Sequence, residues 1–303
     1  MKKSVWWIVL AVICAYTLAF VIPAFFERRE EKLKKSVLTL WNVDSFEGGK
    51  GSRTAFLSSI AARYEKSAGI ILLVSSKSVE GLKDAWEKGE RPDMLSFGGY
   101  APVAGLQGEA FCWCMGKYVL YTRGEEKPIT PQNTVISVGG DTFPQAAAAL
   151  YGLRGEIKEE ESTTAYVRFL SGAYDYLLGT QRDACRFQSR GVEVCATALN
   201  GFCDLRQYIV TVTKENAEKS QDFIRYLLAE ESQKLLKNIG MFSDRYTIYE
   251  GEGTLQGAIE EGKTIFSISP WTAKEQRMEI SAAIKRVMQG ENVEVLKNLL
   301  KGV

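Results

Sequence analysis

The chain of 303 residues contains no histidine. That absence removes Ser-His-Asp and Cys-His nucleophilic sites, His-ligated zinc and imidazole pH switching. The side chains left that could do chemistry are carboxylates, thiols, guanidinium groups and aromatic rings. Asp183 and Asp204 would suffice in principle for acid–base work on a substrate, but no spacing couples either one to a nucleophile. Cys112 and Cys114 sit two apart on an expected strand, so they share a face yet stand too far apart to bridge comfortably. With Cys14 set aside, Cys112, Cys114, Cys185, Cys195 and Cys203 make an odd number, which leaves at least one thiol without a disulfide partner. None shows CxxC spacing, so they read as small buried hydrophobes rather than as a metal centre, and neither a metal nor a cofactor is expected.

What remains is binding chemistry at strand ends. Trp41 and Asn42 close an apolar strand, where an indole can stack on a ligand and an amide can hydrogen-bond; a core Trp is the competing reading. Arg53 opens a helix after a Gly-rich turn, a place for an anion or for a solvated side chain. Phe97, Gly98 and Tyr100 follow a third strand, with the glycine permitting close backbone approach. Trp113 lies in the aromatic-rich, strand-like run 111–122. Gln181, Arg182 and Asp183 follow a buried strand and would either bind a ligand or lock a loop through an Arg–Asp pair. Asp204 lies just before, and Tyr208 at the start of, the strand-like run 207–213.

These residues depend on alternating strands and helices. The runs 37–43, 70–75 and 92–97 read as strands, with helices expected over 52–67 and 79–88 between them. This β-α-β-α-β order implies a parallel sheet covered by helices, and in such sheets ligands gather at the carboxyl ends of the strands. Further along, 111–122 reads as one strand, and 134–138, 192–197 and 207–213 as others, with 176–179 a short apolar run. Helices are expected over 143–152 and 162–170, two within 217–239, and two more over 277–288 and 293–301. No internal repeat is visible.

Residues 5–26 carry no charge, and as a helix of about 33 Å they would cross a bilayer core. Trp6 and Trp7 stand at one end, where indoles favour the interface. The run is longer than a usual signal-peptide core, so an uncleaved anchor is expected rather than a cleaved signal. Lys2 and Lys3 precede it; Arg28, Arg29, Lys32, Lys34 and Lys35 follow it, and that count alone would place the following domain in the cytoplasm. With 38 basic and 37 acidic residues the formal charge is +1, which gives no electrostatic reason to expect nucleic acid as a partner.

Several stretches resemble the extracellular solute-binding proteins of ABC importers, in the two-lobed class that takes sugars and related solutes. They are Leu38-Thr39-Leu40-Trp41, Arg91-Pro92-Asp93-Met94-Leu95-Ser96, and Trp113 with Met115-Gly116-Lys117-Tyr118-Val119-Leu120-Tyr121. Phe169-Leu170-Ser171-Gly172 before Leu177-Leu178-Gly179 is similar to a turn of that family's second lobe. Phe223 to Leu228, then Glu231 to Leu235 and Ile239-Gly240-Met241, is similar to its helix pair.

The resemblance spans nearly all of the chain after the apolar segment. It implies an α/β, two-lobed periplasmic-binding-protein-like (type 2) fold behind an N-terminal transmembrane helix. Residues 1–36 would be the anchor and linker, 37–113 with 209–264 the first lobe, and 114–208 with 265–303 the second. A hinged pair of lobes would capture a small solute and present it to permease subunits, outside the cell or in the periplasm. The aromatics suit a sugar; Arg53 and Arg182 suit an anionic solute. A ligand sensor of the same fold, or a histidine-independent enzyme, are the alternatives.

Overall fold

The computed structural model describes residues 37–43, 52–98, 108–125, 127–138, 144–198, 206–249 and 272–301, with single positions 6, 17 and 106. But for two isolated positions, the apolar segment 5–26 lies outside the described residues, as do the turn 44–51 and the return expected after residue 265. No helix among the described residues is long and apolar enough to cross a membrane.

The chain opens with β1 (Val37–Val43), α1 (Arg53–Ala68), β2 (Ile71–Lys77), α2 (Val79–Glu87) and β3 (Met94–Gly98). The serine Oγ of Ser52 accepts the Ala55 N–H at 3.0 Å to start α1, and Ser78 does the same for α2 through the Gly81 N–H. Gly69 ends α1 with φ 69°, a left-handed backbone that a side chain would strain. β1 alternates: Leu38, Leu40 and Asn42 are buried on one face, while Thr39 and Trp41 on the other are partly exposed.

The stretch expected as one strand over 111–122 is two strands, β4 (Phe111–Cys114) and β5 (Tyr118–Thr122), which join different sheets. Between them Met115 leaves both ladders and pairs instead with Phe242, by reciprocal backbone bonds of 2.8 and 2.9 Å. Then follow β6 (Thr134–Val138), α3 (Pro144–Tyr151), β7 (Lys158–Glu161), α4 (Ser162–Leu170), β8 (Tyr176–Thr180), α5 (Gln181–Ser189), β9 (Cys195–Ala198) and β10 (Gln207–Thr211). The chain continues through α6 (Ala217–Leu228), α7 (Glu230–Lys234), a 3-10 turn (Leu235–Ile239), α8 (Lys274–Met288) and α9 (Val293–Lys301).

Two of these elements were not expected. β7 is Lys-Glu-Glu-Glu, whose charge masks a strand; it is an edge, and its one buried side chain, Glu160, accepts an ion pair from Arg168 at 2.7 Å. α5 has a polar sequence whose buried apolar side chains are Ala184 and Phe187, too few for a visible helical period.

The described strands form two five-stranded sheets, ordered β2-β1-β3-β10-β4 and β7-β6-β8-β5-β9. The orders are equivalent. In each, three parallel strands are followed by an antiparallel one that has arrived from the other sheet and separates the third strand from the fourth. The repeat is one of topology and leaves no trace in the sequence.

One face of the first sheet packs Leu38, Leu40, Met94 and Ile209 under α1 and α6; the other packs Val43, Leu95, Phe97 and Val210 against α2. In the second sheet Tyr118, Leu120, Ile136 and Leu178 face α3, α8 and α9, while Val119, Tyr121, Val135 and Leu177 face α4 and α5. The core under α1 and the core under α4 and α5 belong to one continuous cluster, which also holds Met241, Phe242 and Tyr249. Asp93 pins the amino-terminal side of the first sheet. It accepts from the Thr39 N–H and hydroxyl at 2.8 and 3.0 Å, from Thr213 Oγ1 at 2.7 Å and from Asn216 Nδ2 at 2.9 Å.

Candidate functional site

On the α1 face of the first sheet each inner strand carries an apolar side chain and then, one inward position nearer the carboxyl edge, a polar one. Leu40 is followed by Asn42 and Met94 by Ser96; in antiparallel β10 the same step runs from Ile209 back to Gln207. The core thus gives way to a polar layer at the edge where open α/β sheets bind ligands.

Gln207 is the centre of that layer. Its Nε2 donates toward Asn42 Oδ1 at 3.3 Å, the Val43 carbonyl at 3.3 Å and Ser96 Oγ at 3.2 Å, and its Oε1 accepts from Arg53 Nη1. Asn42 Nδ2 donates to Thr54 Oγ1 at 2.9 Å, which ties β1 to the first turn of α1. Trp113 Nε1 donates to Ser96 Oγ at 3.0 Å while its ring stacks on Phe56, centroids 5.7 Å apart. Arg53, expected as either an anion site or a solvated side chain, is only 2% exposed, so the solvated reading is corrected by burial.

The candidate residues fall into three groups. Asn42, Arg53 and Trp113 come together in the buried polar layer, with Ser96 and Gln207 added by the structure. Trp41, Phe97 and Tyr208 lie on the opposite face of the same sheet. There Phe97 and Tyr208 approach at 6.5 Å between centroids, Gly98 ends β3, and Trp41 is partly exposed with Lys77 Nζ 4.4 Å from its ring centroid. Trp41, Phe97 and Trp113 therefore do not share one wall, because neighbouring positions of a strand point to opposite faces. Tyr100 and Asp204 lie outside the described residues.

Gln181, Arg182 and Asp183 form the first turn of α5 and are buried. Asp183 faces its own strand: with Thr180 it forms a capping box, its Oδ2 accepting the Thr180 N–H at 3.1 Å. A Cβ at Gly179 would come within 2.4 Å of that oxygen, so the close approach needs glycine. Burial pushes the Asp183 carboxyl up to about 6, against the lowering pull of the Thr180 N–H, Arg186 and Arg182. The Tyr121 hydroxyl closes the turn, donating to the Thr180 carbonyl at 2.6 Å and accepting the Ala184 N–H at 3.0 Å. Gln181 and Arg182 reach the other way, to the end of the 3-10 turn: Gln181 Nε2 donates to the Gly240 carbonyl and Arg182 Nε to the Ile239 carbonyl, both at 3.0 Å.

Sequence reasoning missed Ser96, Gln207 and Gln233. The signal for the first two was present, as the last inward polar position of an otherwise apolar strand face. Gln233 sits in the polar helix α7 and carried no signal. Among the described residues no disulfide joins Cys112, Cys114, Cys185 or Cys195.

No family model matches the chain, and no curated protein matches it. Solved structures do. The sugar-binding protein MalE from the phytopathogen Xanthomonas citri is 14% identical and superposes with a TM-score of 0.60, covering 88% of this chain and 96% of its own. Iron-bound HitA from Pseudomonas aeruginosa gives 15% identity and a TM-score of 0.52 over 88% of this chain and 99% of that one. A two-component system protein that mediates signal transduction gives 12% and 0.54 over 88% and 100%. At such identities the likeness is one of architecture: the chain has the mixed α/β two-sheet fold of these binding and signalling proteins.

Proposed function

We propose that the chain is the solute-binding subunit of an ABC importer, not an enzyme. In this reading each sheet with its helices is one lobe. A small solute is held between the carboxyl edges, and the filled protein is read by permease subunits. Residues 5–26 tether it to the outer face of the cell membrane. The observation that carries the reading is the paired topology, in which each sheet receives its fourth-position strand from the other; the first sheet ends in a layer of polar side chains beside the start of α1, and β8 of the second leads into the buried polar first turn of α5. MalE and HitA, of the same architecture, are described as sugar-binding and iron-bound, so the ligand class is chosen by the site and not by the fold. Of the candidate aromatics on the α2 face of the first sheet, Trp41 is partly exposed and open to stack on a sugar, whereas Phe97 and Tyr208 are buried.

The test is a thermal melt of the full-length protein against maltose, maltotriose, amino acids, oxyanions and ferric iron. A solute at a hundredfold excess over its dissociation constant should stabilise the protein by about 2.7 kcal/mol, a rise of several degrees in the midpoint. A panel at millimolar concentration that moves nothing counts against capture of these solutes. The signalling neighbour supports a second reading, a sensor that hands its state to another protein. Adjacent genes for permeases and an ATPase would favour import, and a kinase partner would favour sensing. Protease added to intact cells should degrade the domain; full protection would reverse the topology.

A further inference from the structure

The chain first passes between the sheets at 113–117, and this segment runs antiparallel to 240–243. Met115 and Phe242 exchange backbone bonds at the middle. A buried glutamine holds each end of this ribbon. On the side of the first sheet Gln233, 1% exposed, donates from Nε2 to the Trp113 carbonyl at 3.1 Å, and its Oε1 accepts from Ser243 Oγ at 2.6 Å. On the side of the second sheet Gln181, 0% exposed, accepts the Lys117 N–H at 2.7 Å through Oε1, and its Nε2 donates to the Gly240 carbonyl at 3.0 Å. One amide suits this task because it offers both a donor and an acceptor: Gln181 joins the two antiparallel backbones, and Gln233 joins the backbone of one segment to the Ser243 hydroxyl of the other. Gly240 fits the second clamp tightly: its φ is 66°, and a Cβ there would stand 3.3 Å from the Arg182 Cα and 3.0 Å from the Cys185 Sγ.

We propose that Gln233 and Gln181 are positioning residues that confine bending at this ribbon to Met115–Gly116 and Phe242. The proposal rests on the reading of each sheet as a lobe. Buried side-chain bonds at both ends make the ribbon stiff there, and between them the two segments are linked to each other by the reciprocal Met115–Phe242 backbone pair. The glutamines would thereby set which angles between the lobes are populated before any solute arrives.

The experiment is single-molecule energy transfer on the full-length, detergent-solubilised protein without solute. Dyes are placed through non-canonical amino acids at Leu73 and Met278, exposed positions on the first sheet and on the helix against the second. Gln181→Met and Gln233→Met keep side-chain length and remove the bonds. Each should broaden the distance distribution about twofold relative to the parent, since more lobe angles become populated. Ile60→Ala, a core change in α1 away from the ribbon, should lower the melting midpoint without broadening. If the glutamine variants broaden the distribution no more than Ile60→Ala does, the proposal fails, and the solute screen is untouched by that outcome. A failed screen with broadened distributions would remove solute capture and keep the ribbon.

Discussion

Asp93 in the first sheet and Asp183 in the second are both buried carboxylates beside a strand, in sheets of equivalent strand order. Asp93 accepts four hydrogen bonds, from two groups of Thr39 and from Thr213 and Asn216. Burial alone would raise its pKa, but the bonds from Asn216, Thr213 and Thr39 outweigh burial and hold it below the usual carboxylate value. Asp183 has the Thr180 N–H at 3.1 Å, with Arg186 at 3.8 Å, and there burial wins. The charge of a buried carboxylate is set by the balance of depth and donors: Asp93 is the shallower of the two, at 8% exposed against 1%, and has four donors to offset its burial. The two tryptophans of the first sheet divide the same way: Trp113 is enclosed with a partner for its N–H, while Trp41 is partly open under Lys77.

The largest effect is expected at Trp113. Trp113→Ala should cost ~3–5 kcal/mol of stability in a denaturant melt, through the cavity and the lost support of Ser96. A cost near that of an exposed residue would place the ring outside the core. Asp93→Asn comes next, at about 2–4 kcal/mol, because an amide cannot accept from all four donors at once. Its sign with pH follows from the lowered pKa. The stabilisation Asp93 provides is complete above the ordinary carboxylate value of ~3.9 and is lost as pH falls through and below it.

Asp183→Asn should act in the opposite direction. The raised pKa means the folded state prefers the protonated form, so the parent loses stability as pH rises from about 4 to about 6. The amide still accepts the Thr180 N–H, and above pH 6 the variant should be more stable by roughly 2 kcal/mol. Melting midpoints of both proteins from pH 4 to 7.5 check this; a gap that closes with rising pH would break the comparison between the two aspartates. The smallest thermal effect is expected for Trp41→Ala, about 1 kcal/mol for an exposed cation–π contact. If the partly open ring stacks on a solute, the same variant should bind that solute about thirtyfold more weakly in a titration.

The strands β1, β2 and β3 and the helices α1 and α2 between them were legible because each is set by neighbours a few positions away. So was the α/β order, since strand and helix periods differ by simple geometry. The division of 111–122 into two strands was not legible: Met115 is drawn out of both ladders by Phe242. Nor were the roles of Gln207 and Gln233, whose partners Arg53 and Trp113 lie 154 and 120 positions away. Trp41, Trp113 and Asp183 could be named as residues of interest from their places at strand ends. Which face each one took, and whether its polar atoms were spent inside the protein, was decided only when distant segments packed, because the energy of a buried polar group depends on partners the local sequence does not contain.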